Sequence, residues 1–143
     1  MKVFIGSSLE SSDELRKIAM LIEEAGYTPF PWNKAGVFLL GKYMLESLRD
    51  ISMKVDAAIL IFNEDDKVWY RNDYVLAPRD NVVLEYGFLL SILGKEKTII
   101  CRKGTTKIAS DLSGIIYCDL NKEYRAQIEL LEWLRFINSG CNK

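Results

Sequence analysis

Histidine is absent from this chain of 143 residues. That absence excludes Ser-His-Asp and Cys-His catalysis, histidine metal ligation and proton transfer by imidazole. Cysteine is sparse: Cys101, Cys118 and Cys141 are odd in number and form no CxxC pair. Such usage suits a reduced, intracellular chain. Neither sign of charge dominates, the formal net charge being -1, so nothing electrostatic argues for nucleic acid or an anionic membrane as partner. No apolar run approaches the ~20 residues of a membrane span, and the N-terminus enters a strand pattern directly. The expectation is a soluble, cytoplasmic protein. No GxGxxG, P-loop, GxSxG, HExxH or EF-hand pattern is present.

What is there alternates between strand and helix patterns. Lys2 to Ile5 reads as a short buried strand, punctuated by Gly6-Ser7-Ser8. Ser11-x-x-Glu14 has the form of a capping box. Leu15, Ile18, Ala19, Ile22 and Ala25 follow at helical spacing, and Gly26 ends the helix. Tyr27 to Pro31 is a second strand, placed near an edge by its two prolines. A loop from Trp32 to Gly41 leads to a helix marked by Met44, Leu48 and Ile51. Asp56 to Phe62 is continuous and apolar, as a central parallel strand should be. A polar and aromatic loop is expected from Asn63 to Ala77, and a helix then runs to Gly94. Lys97 to Cys101 and Ile115 to Cys118 read as strands, and Tyr124, Ile128, Leu131 and Leu134 mark a closing helix. The pattern predicts one domain over 1–138, a flavodoxin-like, three-layer α/β fold. Its sheet has about five parallel strands with helices on both faces. Residues 139–143 read as a polar tail or the start of a linker.

The most telling segment opens that third helix: Pro78-Arg79-Asp80-Asn81-Val82-Val83-Leu84-Glu85-Tyr86-Gly87. From Val82 to Leu93 the only charge is Glu85, and a helix apolar on almost every side is expected to be buried all round. A buried carboxylate either pairs with Arg or Lys as a structural group, or sits in a cleft with its pKa raised. Ligands of open parallel sheets bind beyond the carboxyl ends of the strands. Glu85 lies about 7–8 Å into its helix at ~1.5 Å per residue, and helical side chains lean toward the N-terminus. It therefore reaches the rim on which the loops Gly6–Ser8, Trp32–Phe38 and Asn63–Ala77 converge, and reads as a catalytic carboxylate.

Its companions each have two readings. Asp80 is a helix N-cap or a ligand group. Arg79 pairs with Glu85 or Asp80, or contacts a phosphate. Gly6-Ser7-Ser8 offers backbone N–H groups to an anion or forms a simple turn. Trp32 is core or stacks on a ligand. Asp65 and Asp66 have the outline of a metal pair, but a solvated loop fits their surroundings better, so no metal is expected.

These residues, in this order, resemble the TIR-like domain of bacterial anti-phage effectors, including the TIR domains fused to bacterial STING and those of Pycsar effectors. The resemblance is carried by Phe4 to Ser8, by Pro31, Trp32 and Phe38, by Ile59 to Phe62 with Asp65-Asp66, and by Pro78 to Gly87 with Leu93-Gly94. It covers roughly residues 1–138. Tyr86 and Phe88 stand where such domains commonly have leucine, and Ser91 where glycine is common.

The resemblance implies a TIR-type fold and an NAD⁺ glycohydrolase, with NAD⁺ as substrate, no cofactor and Glu85 as the catalytic residue. It places Gly6, Ser7, Ser8, Trp32, Phe38, Arg79 and Asp80 around the substrate. It also implies activation when a fused or separate cyclic-nucleotide sensor stacks the domains into a homo-oligomer or filament. The loop from Asn33 to Lys42, with Val37, Phe38, Leu39 and Leu40 in a row, is the expected contact, and the isolated domain is expected to be nearly inactive. Two other functions compete: a nucleoside deoxyribosyltransferase-like enzyme using the same glutamate, and a non-catalytic module signalling through TIR–TIR contacts.

Overall fold

A computed structural model describes residues 1–34, 40–108 and 114–140. Strands β1 (Lys2–Gly6), β2 (Thr28–Pro31), β3 (Ala57–Phe62), β6 (Thr98–Arg102) and β7 (Cys118–Asp119) form a parallel sheet. Their spatial order is β2-β1-β3-β6-β7. This is the flavodoxin-like winding, whose topological switch point lies between β1 and β3. Helices α1 (Ser12–Glu24) and α4 (Glu123–Asn138) cover one face; α2 (Met44–Lys54) and α3 (Asp80–Leu93) cover the other.

Alternation along the strands builds two cores. Val3, Ile5, Ala57, Ile59, Ile61 and Cys101 point toward α1 and α4. Phe4, Ala58, Leu60, Phe62 and Ile100 point toward α2 and α3. Every residue of β3 is buried, as its apolar run requires. β2 is an edge strand, where its prolines cost no ladder bond on the outer side.

Several expectations are corrected. The segment from Asn63 to Ala77 is not a loop throughout: β4 (Asp66–Tyr70) and β5 (Asp73–Ala77) form an antiparallel hairpin. Its two-residue turn puts Arg71 at φ 49° and Asn72 at φ 65°, the twist-matched geometry that glycine normally signals in a sequence. The last strand is Cys118–Asp119, not Ile115–Cys118. α3 is not buried on every side, since Leu84 is 49% and Ile92 50% exposed while Val82, Glu85, Tyr86 and Leu89 face the sheet. One layer of helices on a sheet leaves an outer side to solvent whatever its composition. α4 packs through Ala126, Leu130, Leu134 and Ile137, with Tyr124 and Ile128 turned outward. Its sequence carries more than one apolar stripe, and the one headed by the small Ala126 meets the sheet. Phe38, with Val37 and Leu39 of the expected contact loop, lies outside the described residues.

Candidate active site at the switch point

Glu85 stands in the second turn of α3 and is 6% exposed. Its Oε2 is buried and has no hydrogen-bond partner among the described residues. Burial alone pushes its pKa from 4.5 up to about 7, because desolvation disfavours the charged form. The carboxylate lies against the backbone of Gly6, at the end of β1. A Cβ there would come within 2.5 Å of Glu85 Oε2 and within 2.5 Å of the Leu60 side chain. Gly6 is therefore what lets the carboxylate sit on the carboxyl edge of the sheet.

Around it the loops are fastened by side chains. Trp32 Nε1 donates to Ser7 Oγ (2.9 Å), and the ring is half-buried against both cores. Ser7 Oγ donates to the Ser8 carbonyl (2.9 Å). Ser8 Oγ donates to Asp65 Oδ1 (2.5 Å), and the other oxygen of Asp65 accepts the backbone N–H of Arg79 (3.1 Å). Asp65 thus joins the β1 loop to the start of α3. Ser11 Oγ contacts Ser8 Oγ (3.1 Å) and accepts from Asn63 Nδ2 (2.9 Å).

These bonds revise the sequence reading of five residues. Ser11 makes no capping bond, because its hydroxyl is engaged by Ser8 and Asn63. Asp65 and Asp66 are not a solvated loop, and no metal-holding cluster occurs among the described residues. Asp80 is the first helical residue, not the N-cap; its carboxylate accepts the N–H of Asn81 (2.8 Å). Arg79 pairs with neither Glu85 nor Asp80. Its guanidinium reaches Asp66 (3.4 Å) and Glu10 (3.3 Å) on the opposite side of the helix start. The roles of Asp65, Asn63 and Ser11 had no sequence signal, since the partners of each bond lie 57, 14 and 52 residues apart.

A surface pocket of about 130 Å³ lies elsewhere, between α1, α4 and the ends of β6 and β7. Its charges are already paired, Lys17 with Glu123 (3.2 Å) and Lys103 with Glu14 (3.8 Å). Five buried side-chain polar atoms of the described residues have no hydrogen-bond partner: Glu85 Oε2, Tyr86 Oη, Thr98 Oγ1, Arg102 Nε and Thr106 Oγ1. None of them belongs to the lining of this pocket, whereas Glu85 carries one.

A parallel sheet wound in this order, with helices on both faces and an unpartnered carboxylate at its switch point, is consistent with a TIR-type α/β domain. Residues 2–122 match the family described as CAP12/Pycsar effector protein, TIR domain, and the chain belongs to that family. It is 33% identical over 137 residues to CD-NTase-associated protein 12 of Sphingobacterium faecium, covering 94% of this chain and 42% of that protein. It is 35% identical over 115 residues to the Pycsar effector protein PaPycTIR of Pseudomonas aeruginosa, covering 79% and 37%. The chain thus spans only about two fifths of the length of these relatives. A solved structure of a 2-deoxyribosyltransferase from Bacillus psychrosaccharolyticus is similar at TM-score 0.48 and 15% identity, over 78% of this chain and 79% of that one. No helix among the described residues is long and apolar enough to cross a membrane.

Proposed function

We propose that this domain cleaves the bond between nicotinamide and ribose in NAD⁺, as part of an anti-phage effector. The observation that supports this most is Glu85: a buried carboxylate without a partner, with a pKa near neutrality, at the ligand-binding edge of the sheet. Nicotinamide leaves as a neutral base from a cationic ribosyl bond, so no general acid is needed. One ionised carboxylate suffices to stabilise the positive charge developing at the ribosyl carbon, or to orient the ribose hydroxyls. A chain without histidine has the group this reaction requires.

The Gly6–Ser8 loop lies against the carboxylate and holds Trp32 through Ser7, and in this reading the two take the sugar and base of a dinucleotide. Arg79, held by Asp66 and Glu10, and Asp80 shape the helix start beside them. We further propose activation by a fused or separate cyclic-nucleotide sensor through side-by-side assembly, for which the greater length of the relatives leaves room.

The test is NAD⁺ cleavage at high protein concentration by wild type and Glu85→Gln, read as released nicotinamide, with deoxynucleosides as alternative substrates. The amide keeps the shape and removes the charge, so loss of more than tenfold is expected. A variant keeping more than a tenth of the rate, about 1.4 kcal/mol of barrier, shows that Glu85 is not the key group.

A further inference from the structure

The two sides of α3 differ in chemistry. Its inner side, against the sheet, carries Glu85 and Tyr86 with their unpartnered atoms. Its outer side carries no charge from Asn81 to Gly94. Leu84 and Ile92 are half-exposed there, Gly87 and Ser91 are exposed, and Phe88 is partly covered. The Ser91 hydroxyl donates to the Phe88 carbonyl (2.7 Å), so it presents no unmet donor. The solvent side of a helix is ordinarily charged or polar, whereas this one loses little by leaving water.

Gly87 sharpens the contrast. Glycine is among the least favourable residues in a helix interior. A Cβ at Gly87 would meet nothing within 4 Å, and its φ is not positive. Neither the backbone nor the packing of the chain calls for glycine here. What a bare Cα then permits is the close approach of another chain from outside.

The outer stripe is also complementary to itself. Asp80, Leu84, Gly87 and Ser91 recur at spacings of four, three and four, and so share one helical face. Exposed Asp80 opens this stripe and exposed Lys95 follows the end of the helix, with no charge between them on that face. A two-fold axis through the middle of α3 lays the same helix of a second copy antiparallel to it. Gly87 then lies opposite Phe88 of the second copy, Leu84 opposite Ser91 and Asp80 opposite Lys95, each pair occurring twice. Apolar contacts fill the centre and opposite charges meet at the rim. Parallel pairing would set like charges together, so the end charges also select the antiparallel arrangement.

We infer that the outer side of α3 is a two-fold contact between two copies of this domain. A helix of 14 residues is about 21 Å long. It buries less than the ~800 Å² per partner of a stable complex. The contact is therefore weak, and fills near millimolar protein or where copies are held together by other parts of a longer chain. It is distinct from the loop Asn33–Lys42, and it lies on the back of the helix that carries Glu85.

The test is sedimentation equilibrium of this chain from micromolar to millimolar concentration, without NAD⁺. A monomer–dimer equilibrium is expected. Gly87→Gln blocks close approach yet suits a helix better than glycine. It should weaken pairing about tenfold, as loss of a central interface contact does, with the melting temperature unchanged or raised. Asp80→Lys and Lys95→Asp should each weaken pairing, and the two combined should restore most of it. A wild type that stays monomeric at millimolar concentration overturns the contact. So does a dimer indifferent to Gly87→Gln, or a double charge swap that restores nothing. Association is read without turnover, so this contact and the NAD⁺ reading fail separately.

Discussion

The two faces of the sheet are built from the same strands and are equally well covered, yet they treat polar groups differently. Under α1 and α4 the core is built from apolar residues with Cys101 and Cys118, and the buried serines at the start of α1, Ser8 and Ser11, are hydrogen-bonded to Asp65, Asn63 and each other. Even there the Cys118 thiol finds the Ala126 carbonyl (3.8 Å), and Cys118 and burial together push the Cys101 thiol well up in pKa. Under α2 and α3, strand alternation and the contacts of α3 place all five unpartnered polar atoms of the described residues. Native interiors satisfy nearly all such groups. One face therefore serves stability, and the other has accepted a cost that stability does not explain, as functional sites do.

The largest expected effect tests that cost directly. Glu85 is ionised at pH 8 in both folded and unfolded chains, but its folded pKa of about 7 lies above the reference 4.5. Stability is thus full below about pH 4.5 and is lost as pH rises through 7, by up to about 3 kcal/mol. Glu85→Gln should remove this loss, so denaturant midpoints of variant and wild type should diverge between pH 5 and 8, the variant being more stable at pH 8. Catalysis has the opposite sign: NAD⁺ cleavage should rise through pH 7 as the carboxylate ionises. Parallel stability profiles would mean that Glu85 is solvated and the two faces are alike.

Gly6→Ala comes next. Its Cβ would meet Glu85 Oε2 and Leu60 Cδ1, both at 2.5 Å, and overpacking of this kind costs about 1–3 kcal/mol. Ala57→Gly, on the other face, creates no clash and provides the control for activity. Loss of NAD⁺ cleavage in Gly6→Ala, with the fold retained by circular dichroism, is the expected outcome; an unimpaired enzyme would place the reacting atoms away from Gly6.

These contrasts also show what the sequence could reveal. β3 was legible because a run apolar on every residue fits only a strand covered on both faces. The burial of Glu85 was legible because it is the one charge in an otherwise apolar stretch of helix. The β4–β5 hairpin was hidden because Arg71 and Asn72 adopt positive φ without glycine. The two ion pairs open to Arg79, with Glu85 or Asp80, are not the ones it makes, because a helix start does not reveal which way a long side chain turns. Asp65 joins segments far apart in the chain, and such bonds follow from the fold, not from local spacing.

Asp65→Ala should have a smaller effect. It removes the acceptor of both the Ser8 hydroxyl and the Arg79 N–H, each bond contributing about 1 kcal/mol net. A loss of 1–2 kcal/mol in chemical denaturation, together with weaker NAD⁺ cleavage from a loosened rim, is expected. Unchanged activity would show that the rim does not need this fastening.

The smallest effect separates the unpartnered groups from one another. Thr98 Oγ1 shares the face of the other four but lies at the amino end of β6, away from the ligand-binding edge. Thr98 is 1% exposed, and its strand partner is Ala58, which offers no side-chain acceptor. Replacing a buried hydroxyl without a partner by a methyl group of the same shape removes a desolvation cost and leaves packing intact. Valine also suits a strand at least as well as threonine. Thr98→Val should therefore stabilise the domain by on the order of 1 kcal/mol and leave NAD⁺ cleavage unchanged. A destabilised Thr98→Val would show that its hydroxyl is satisfied after all.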